Sequence, residues 1–341
     1  MKAAVLTEWK HIELQDIPVP EIGEGECSVR VKCAGVCGSD LHIYEGHHPT
    51  ATTPLVLGHE FVGIVDEIDA RVPTDVAVGD RVVTYPLISC GTCEACQEGN
   101  WHVCRNLKLL GVHVNGGFAE YAKVAVEKVV RISDAVPDRI AALTEPFAVG
   151  FHVNRRAGLR NGDTALVIGG GPIGLTVGMV AKVSGAAQVV FSEVNPARVE
   201  LVRELGFTAV NPTEEDVLSR INELTDNIGC DVVFEVSGSQ PGLTLATQAC
   251  RIRGTIVPVG FPAKKPEFDI IQVIFKELTI VGSRVYTLND FKKTVRVLEN
   301  IIVNNLFDVE KLVSDTRSLN ELESALQTMK AGENRGKILI A

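Results

Sequence analysis

From residue 164 onward the chain alternates short apolar runs with stretches of helical period. ALVIG (165–169) is followed by PIGLTVGMVAKVSG (172–185), QVVFSE (188–193) and a charged segment over 196–205, and DVVFEVSG (231–238) and GTIVPVGF (254–261) continue the pattern. The apolar runs read as strands and the segments between them as helices. Strands alternating with helices imply a parallel, doubly wound sheet with right-handed crossovers, so the fold class is α/β.

The texture before residue 145 differs. CSVRVK (27–32), FVGIVDEI (61–68) and RVVT (81–84) are strand-like runs broken by Gly and Pro, which predicts an irregular, strand-rich lobe. After about residue 282 the pattern is mixed again, and this tail is expected to rejoin the first lobe. No internal repeat or low-complexity segment interrupts the chain. Its 341 residues are too many for one ordinary core and suit two lobes with a cleft between them.

Apolar residues make up 45% and charged residues 22%, which permits a sizeable core and argues against disorder. The net charge of -10 is spread along the chain and argues against nucleic acid or an anionic membrane as partner. The first sixteen residues carry Lys2, Glu8 and Lys10 and no apolar stretch of signal-peptide length, and every apolar run is broken by Gly, Pro or charge. A soluble cytoplasmic protein is expected. Of nine cysteines, four fall within residues 90–104, a distribution suited to metal in a reducing compartment.

Gly169, Gly171 and Gly174 form G-x-G-x-x-G between a strand and a helix, with Pro172 and Ile173 inside it. Gly169 allows the tight turn, Gly171 lets the backbone approach a pyrophosphate, and Gly174 permits close packing of helix on strand. The helix N-terminus then faces the phosphates. Glu193 stands 19 positions beyond Gly174, where a carboxylate accepts hydrogen bonds from the adenosine ribose and repels a 2′-phosphate. NAD is therefore expected, although Arg198 nearby is placed to engage the phosphate of NADP. The alternative is a glycine-rich turn in a nucleotide-free domain.

Cys90, Cys93, Cys96 and Cys104 are spaced C-x2-C-x2-C-x7-C. Four thiolates so close can wrap one tetrahedral Zn²⁺ with no open position, a structural site. An iron–sulfur cluster takes similar ligands. Elsewhere, Cys37 lies in GVCGSDLH, His59 and Glu60 in VLGHEFVG, and Glu145 in LTEPFAVG. A catalytic zinc needs such a mixed Cys, His and carboxylate set with one position open. Taken singly, each of these residues is equally at home as an ordinary buried or loop side chain.

In the order GVCGSDLH, GHE, four-cysteine loop, EP and GGGPIG, the chain resembles the zinc-dependent medium-chain dehydrogenases over essentially its whole length. That resemblance implies a GroES-like β-rich catalytic domain (1–146), a Rossmann NAD-binding domain (147–281) and a C-terminal segment (282–341) returning to the first. It also implies two zinc ions per chain and a homodimer or homotetramer. The match is closest to the sorbitol-dehydrogenase-like branch, where Glu145 takes the place of a third zinc-binding cysteine. Carried over by motif, Cys37 and His59 are zinc ligands, with Glu60 and Glu145 as direct or water-mediated ones. Which of the two carboxylates binds directly stays open.

Ser39 matches the hydroxyl near the alcohol, Asp40 the carboxylate that orients His59, and His42 the outer histidine of a proton relay. Asp40 and Ser39 could equally serve only a turn or cap. Zn²⁺ lowers the pKa of a hydroxyl it holds, so hydride can pass to C4 of nicotinamide while the proton leaves through Ser39 and His42. HIYEGHHP, LGVHVNGGFAEYA and TEPF look like the group of RspB-type proteins and bacterial L-galactonate and L-gulonate 5-dehydrogenases, which act on sugar acids. Arg284, His113 and His48 are the candidates for holding a substrate carboxylate. A hexonate oxidised at C5, with L-gulonate first, is expected ahead of a neutral polyol and L-threonine. A non-catalytic nucleotide-binding protein is the remaining alternative.

Overall fold

The computed structural model describes residues 1–69, 71 and 74–341. The chain folds into two units, one of 1–145 with 287–341 and one of 146–286.

The first unit is built on β-strands. Its larger sheet has seven strands, in the order Val129–Arg131, Arg81–Thr84, Glu60–Ile68, Glu26–Gly35, Lys337–Ile340, Val313–Arg317, with Tyr121–Ala125 also paired to Glu26–Gly35. A second sheet sets Lys2–Glu8 between His11–Asp16 and Leu55–Val56. The C-terminal strand pairs antiparallel with Glu26–Gly35, Leu339 opposite Gly35 and Ile340 opposite Ala34. Leu322, Leu326 and Ile338 are fully buried in the same apolar cluster as Leu6, Phe61 and Phe118. Burying each such side chain stabilises by about 1.5–3 kcal/mol, so the C-terminal helix and strand are anchored in the core by these side chains.

The second unit is a six-stranded, all-parallel sheet in the order Thr208–Val210, Gln188–Ser192, Thr164–Ile168, Cys230–Glu235, Cys250–Pro258, Thr279–Ile280. This is the doubly wound arrangement expected from the alternation of apolar runs. The order reverses beside Thr164–Ile168, and the crevice outside the carboxyl ends of strands at such a switch point is where α/β sheets bind ligands. Helix Pro172–Val183 starts with proline at a position whose N–H has no partner in a helix, and Gly178 lets it lie against the sheet because a Cβ there would overlap the Phe191 ring. Along Thr279–Ile280 and the adjacent helix Ile270–Phe275 the surface is apolar: Ile270, Ile271 and Ile274 are exposed, and Phe275 is 80% exposed.

No helix among the described residues is long and apolar enough to cross a membrane.

Candidate active site

The four-cysteine loop closes on itself. Cys93 heads the short helix Glu94–Gln97, Cys96 lies inside it, and the three-residue turn Trp101–Val103 brings Cys104 back. The sulfurs of Cys93 and Cys96 are 3.5 Å apart, those of Cys93 and Cys104 3.8 Å, and those of Cys104 and Cys90 3.4 Å. Zinc–sulfur bonds of about 2.3 Å place tetrahedral sulfurs roughly 3.8 Å apart, so the knot fits one ion, whereas a disulfide needs about 2.05 Å. The N–H groups of Cys90 and Asn106 both point at the Cys104 sulfur, each at 3.3 Å. Hydrogen bonds from the Thr92 backbone and hydroxyl pull the Cys90 thiol down to about 5, which favours the thiolate that binds metal. The Trp101 indole donates to the Cys96 carbonyl at 2.7 Å and pins the loop.

The second cluster lies in the first unit as well. Cys37 precedes helix Gly38–Tyr44, and His59 and Glu60 sit where strand Glu60–Ile68 begins. One ligand atom from each of Cys37, His59 and Glu60 lies within 4.8 Å of the others. Glu145 is buried in the first turn of helix Thr144–Ala157 but is not part of that set. Asp40 accepts the Cys37 N–H with one oxygen at 2.8 Å, and its other oxygen faces His59 Nδ1 at 3.6 Å, leaving Nε2 3.9 Å from Glu60 Oε1. Burial alone would lower the His59 pKa, but the Asp40 carboxylate and the Cys37 sulfur raise it well above its usual value. Surroundings that favour positive charge on this ring, and a buried Glu60 Oε2 with no partner, fit a cation held between the three side chains.

Lys337, absent from the sequence-based set, completes this arrangement. Its ammonium lies 2.6 Å from Glu60 Oε1, with both side chains buried. Burial opposes its charge, but Glu60, Cys37 and Glu145 outweigh that and hold it above its ordinary pKa. The one hint in the sequence is a lysine heading the otherwise apolar run KILI. Ser39 is half-buried at the start of the helix, and His42 is exposed in its last turn.

In the second unit the glycine turn has the geometry a dinucleotide requires. Gly169 has φ +107, a left-handed value costly for other residues, and a Cβ on Gly174 would overlap the Gly169 carbonyl. Gly171 caps helix Pro172–Val183 without a side chain, leaving the first N–H groups open to an anion. A cavity of about 800 Å³ is lined by Gly169, Gly171–Gly174, Glu193, Arg198, Ser237 and Gly242 among others. Glu193 is buried and accepts the Gly170 N–H at 2.6 Å and the Asn195 N–H at 2.7 Å, so it braces the glycine turn as well as facing the cavity. Arg198 borders the same cavity, and its Nε is buried without a partner.

The three candidates for a substrate carboxylate are not alike. Arg284 is exposed in the second unit. His113 and His48 lie in the first, their rings 5.9 Å apart, edge to face. His113 Nδ1 accepts from Leu109 N at 3.1 Å, which leaves the proton on Nε2, 2.9 Å from Thr50 Oγ1. His48 Nδ1 accepts from Ala51 N at 3.2 Å. Burial lowers both pKa values, followed by the His42 imidazole for His48 and the His48 imidazole for His113. These histidines are neutral hydrogen-bonding groups near pH 7, and only Arg284 among the three carries a permanent charge.

Residues 23–134 match the alcohol dehydrogenase GroES-like domain, and residues 172–300 match the zinc-binding dehydrogenase domain. A sorbitol dehydrogenase of Halalkalibacterium halodurans is 36% identical over 98% of this chain and 97% of its own. A 2-dehydro-3-deoxy-L-galactonate 5-dehydrogenase of Pseudoalteromonas atlantica is 36% identical over 93% and 91%. Among solved structures, a zinc-binding dehydrogenase of Sinorhizobium meliloti bound to NADP superposes with a TM-score of 0.90 at 31% identity, covering 99% of this chain and 98% of its own. An alcohol dehydrogenase (rspB) of Escherichia coli with NADH does so equally, at 31% identity, covering 100% and 99%.

Proposed function

The chain belongs to the zinc-dependent medium-chain dehydrogenases, in their sorbitol-dehydrogenase-like branch, and from that premise we propose that it oxidises a secondary alcohol of a sugar acid with NAD, L-gulonate to D-fructuronate being the best single reading. The observation that carries the chemistry is the gathering of Cys37, His59 and Glu60 into one set, separate from the four-thiolate knot. The sugar acid is supported by the substrate in the name of the Pseudoalteromonas relative, the neutral polyol by that of the sorbitol dehydrogenase, and the second remains the alternative reading.

When bound, zinc polarises the substrate hydroxyl and NAD accepts the hydride. The chain's own residues do the rest. Cys37 and His59 with Glu60 hold the ion, and Glu145 is the further carboxylate within electrostatic reach. Asp40 faces the His59 ring from its Nδ1 side at 3.6 Å, which leaves Nε2 as the atom toward Glu60. Ser39 takes the hydroxyl proton, and His42, exposed one turn later, passes it to water. Glu193 selects NAD by repelling a 2′-phosphate. The four-cysteine knot holds the second zinc, as a structural ion.

Arg284, His48 and His113 remain the candidates for contacting the far carboxylate, Arg284 being the charged one. A charged hydrogen bond contributes about 1.5–3 kcal/mol, enough to favour the acid over the matching polyol by roughly ten- to a hundredfold. The deciding comparison is kcat/KM for L-gulonate and L-galactonate against sorbitol, xylitol and L-threonine, with NAD at one pH. A wide margin for a neutral polyol overturns the sugar-acid reading. We place the enzyme in the cytoplasm as a homodimer or homotetramer. The apolar surface along Thr279–Ile280 and Phe275 supports self-association, and light scattering that finds a monomer would refute it.

A further inference from the structure

We propose that Glu235 is a positioning residue of the dinucleotide pocket, holding the segment 236–239 that lines the pocket beside the glycine turn. The inference rests on reading the 800 Å³ cavity as the cofactor site. Val236, Ser237 and Ser239 line that cavity, whereas Glu235 lies behind them, at the end of strand Cys230–Glu235 and 1% exposed.

Every partner of the Glu235 carboxylate is a donor. Oε1 accepts the Ser237 N–H at 3.0 Å, the Gly238 N–H at 3.1 Å and the Ser237 hydroxyl, and Oε2 accepts the Gly238 N–H at 3.1 Å. The Glu235 backbone carbonyl reaches the other way, accepting Val259 N–H at 2.7 Å and Gly260 N–H at 3.0 Å. One residue thus ties together two of the loops that leave the carboxyl ends of adjacent strands. The third loop is close by: an ideal Cβ on Gly169 would lie 3.2 Å from Ser237 N.

A helix cap would be the simpler role for an acid here, but it is already filled. Helix Gln240–Ala249 is capped by Ser239, whose hydroxyl accepts the Gly242 N–H at 3.1 Å. The carboxylate instead serves residues 237 and 238, accepting both backbone N–H groups and so fixing the path of the chain past the cavity. Burial pushes the Glu235 carboxyl above its ordinary value, against the N–H and O–H donors that pull it down.

The test is equilibrium titration of the zinc-loaded enzyme with NADH, followed by cofactor fluorescence, beside steady-state kinetics in NAD. Glu235→Ala should raise Kd for NADH and KM for NAD about tenfold or more, Glu235→Gln and Ser237→Ala about threefold, with kcat at saturating NAD within about twofold in each. A purely structural role would lower the amount of active protein and leave Kd unchanged. Glu235→Ala with wild-type Kd overturns the proposal. Should Glu235→Ala fail to fold, Ser237→Ala decides, and a wild-type Kd in that variant overturns it equally. Failure of the unmodified enzyme to bind NADH is a different result, which removes the dinucleotide reading itself and this proposal with it.

Discussion

Lys337 and Glu60 are separated by 277 positions in the chain, yet their charged atoms lie 2.6 Å apart with both side chains out of solvent. Removing one partner of such a pair leaves a buried charge uncompensated, at a cost of about 3–5 kcal/mol. Lys337→Met should lower the melting temperature accordingly, and Lys337→Met with Glu60→Gln should recover much of the loss. A double-mutant cycle by thermal denaturation measures it, and an unchanged melting temperature in the single variant would contradict the pairing.

Two ligand sets imply two zinc ions per chain with different duties. Cys37→Ser should lose one zinc and at least a hundredfold in kcat while melting within a few degrees of the parent, since the cluster is open and its surroundings are otherwise packed. Cys104→Ser removes the sulfur on which two backbone N–H groups converge, and should lose the other zinc together with stability. Elemental analysis of both variants, read beside their melting curves, separates the roles. Full activity in a metal-free preparation would sink the mechanism.

Glu193 braces the glycine turn and, in the proposed function, repels a 2′-phosphate, and its replacement should show both. Glu193→Ser removes the carboxylate that meets a 2′-phosphate, so the ratio of kcat/KM for NAD over NADP should fall by roughly tenfold or more. It also removes the acceptors of Gly170 and Asn195, so affinity for NAD itself should weaken. Titration with both cofactors checks the pair of effects. Equal use of NAD and NADP by the unmodified enzyme would show that Arg198 outweighs Glu193.

Ser39→Ala should reduce kcat by about a hundredfold, within the range that a positioned proton acceptor contributes, without altering Kd for NADH. His42→Ala should cost less, because the exposed histidine can be replaced by water or by added imidazole. Rescue of His42→Ala by imidazole, followed by initial rates, is the informative measurement. No response of kcat to either change would remove the relay.

The sequence by itself determined the parts whose meaning is local. The alternation of apolar runs and helical segments after residue 164 contains the doubly wound sheet, because strand and helix periods are properties of neighbouring residues. The four cysteines within residues 90–104 could scarcely avoid one another, and the glycine turn carries its own reason, since a Cβ on Gly174 would overlap the carbonyl of Gly169. Only the tertiary structure decided which distant groups meet. Glu60, and not Glu145, falls in the set with Cys37 and His59 because strand Glu60–Ile68 pairs with Glu26–Gly35 and sets Glu60 opposite Gly35. Lys337 reaches that set because the C-terminal strand adds to the same sheet in a register that no local pattern encodes. The two histidines weighed for a carboxylate have lowered pKa values because folding buries them beside other imidazoles, a fact of loop geometry. Periodicity and spacing report the covalent neighbourhood of a residue. Charge state and ligand choice depend on what folding brings within a few ångströms and shields from water.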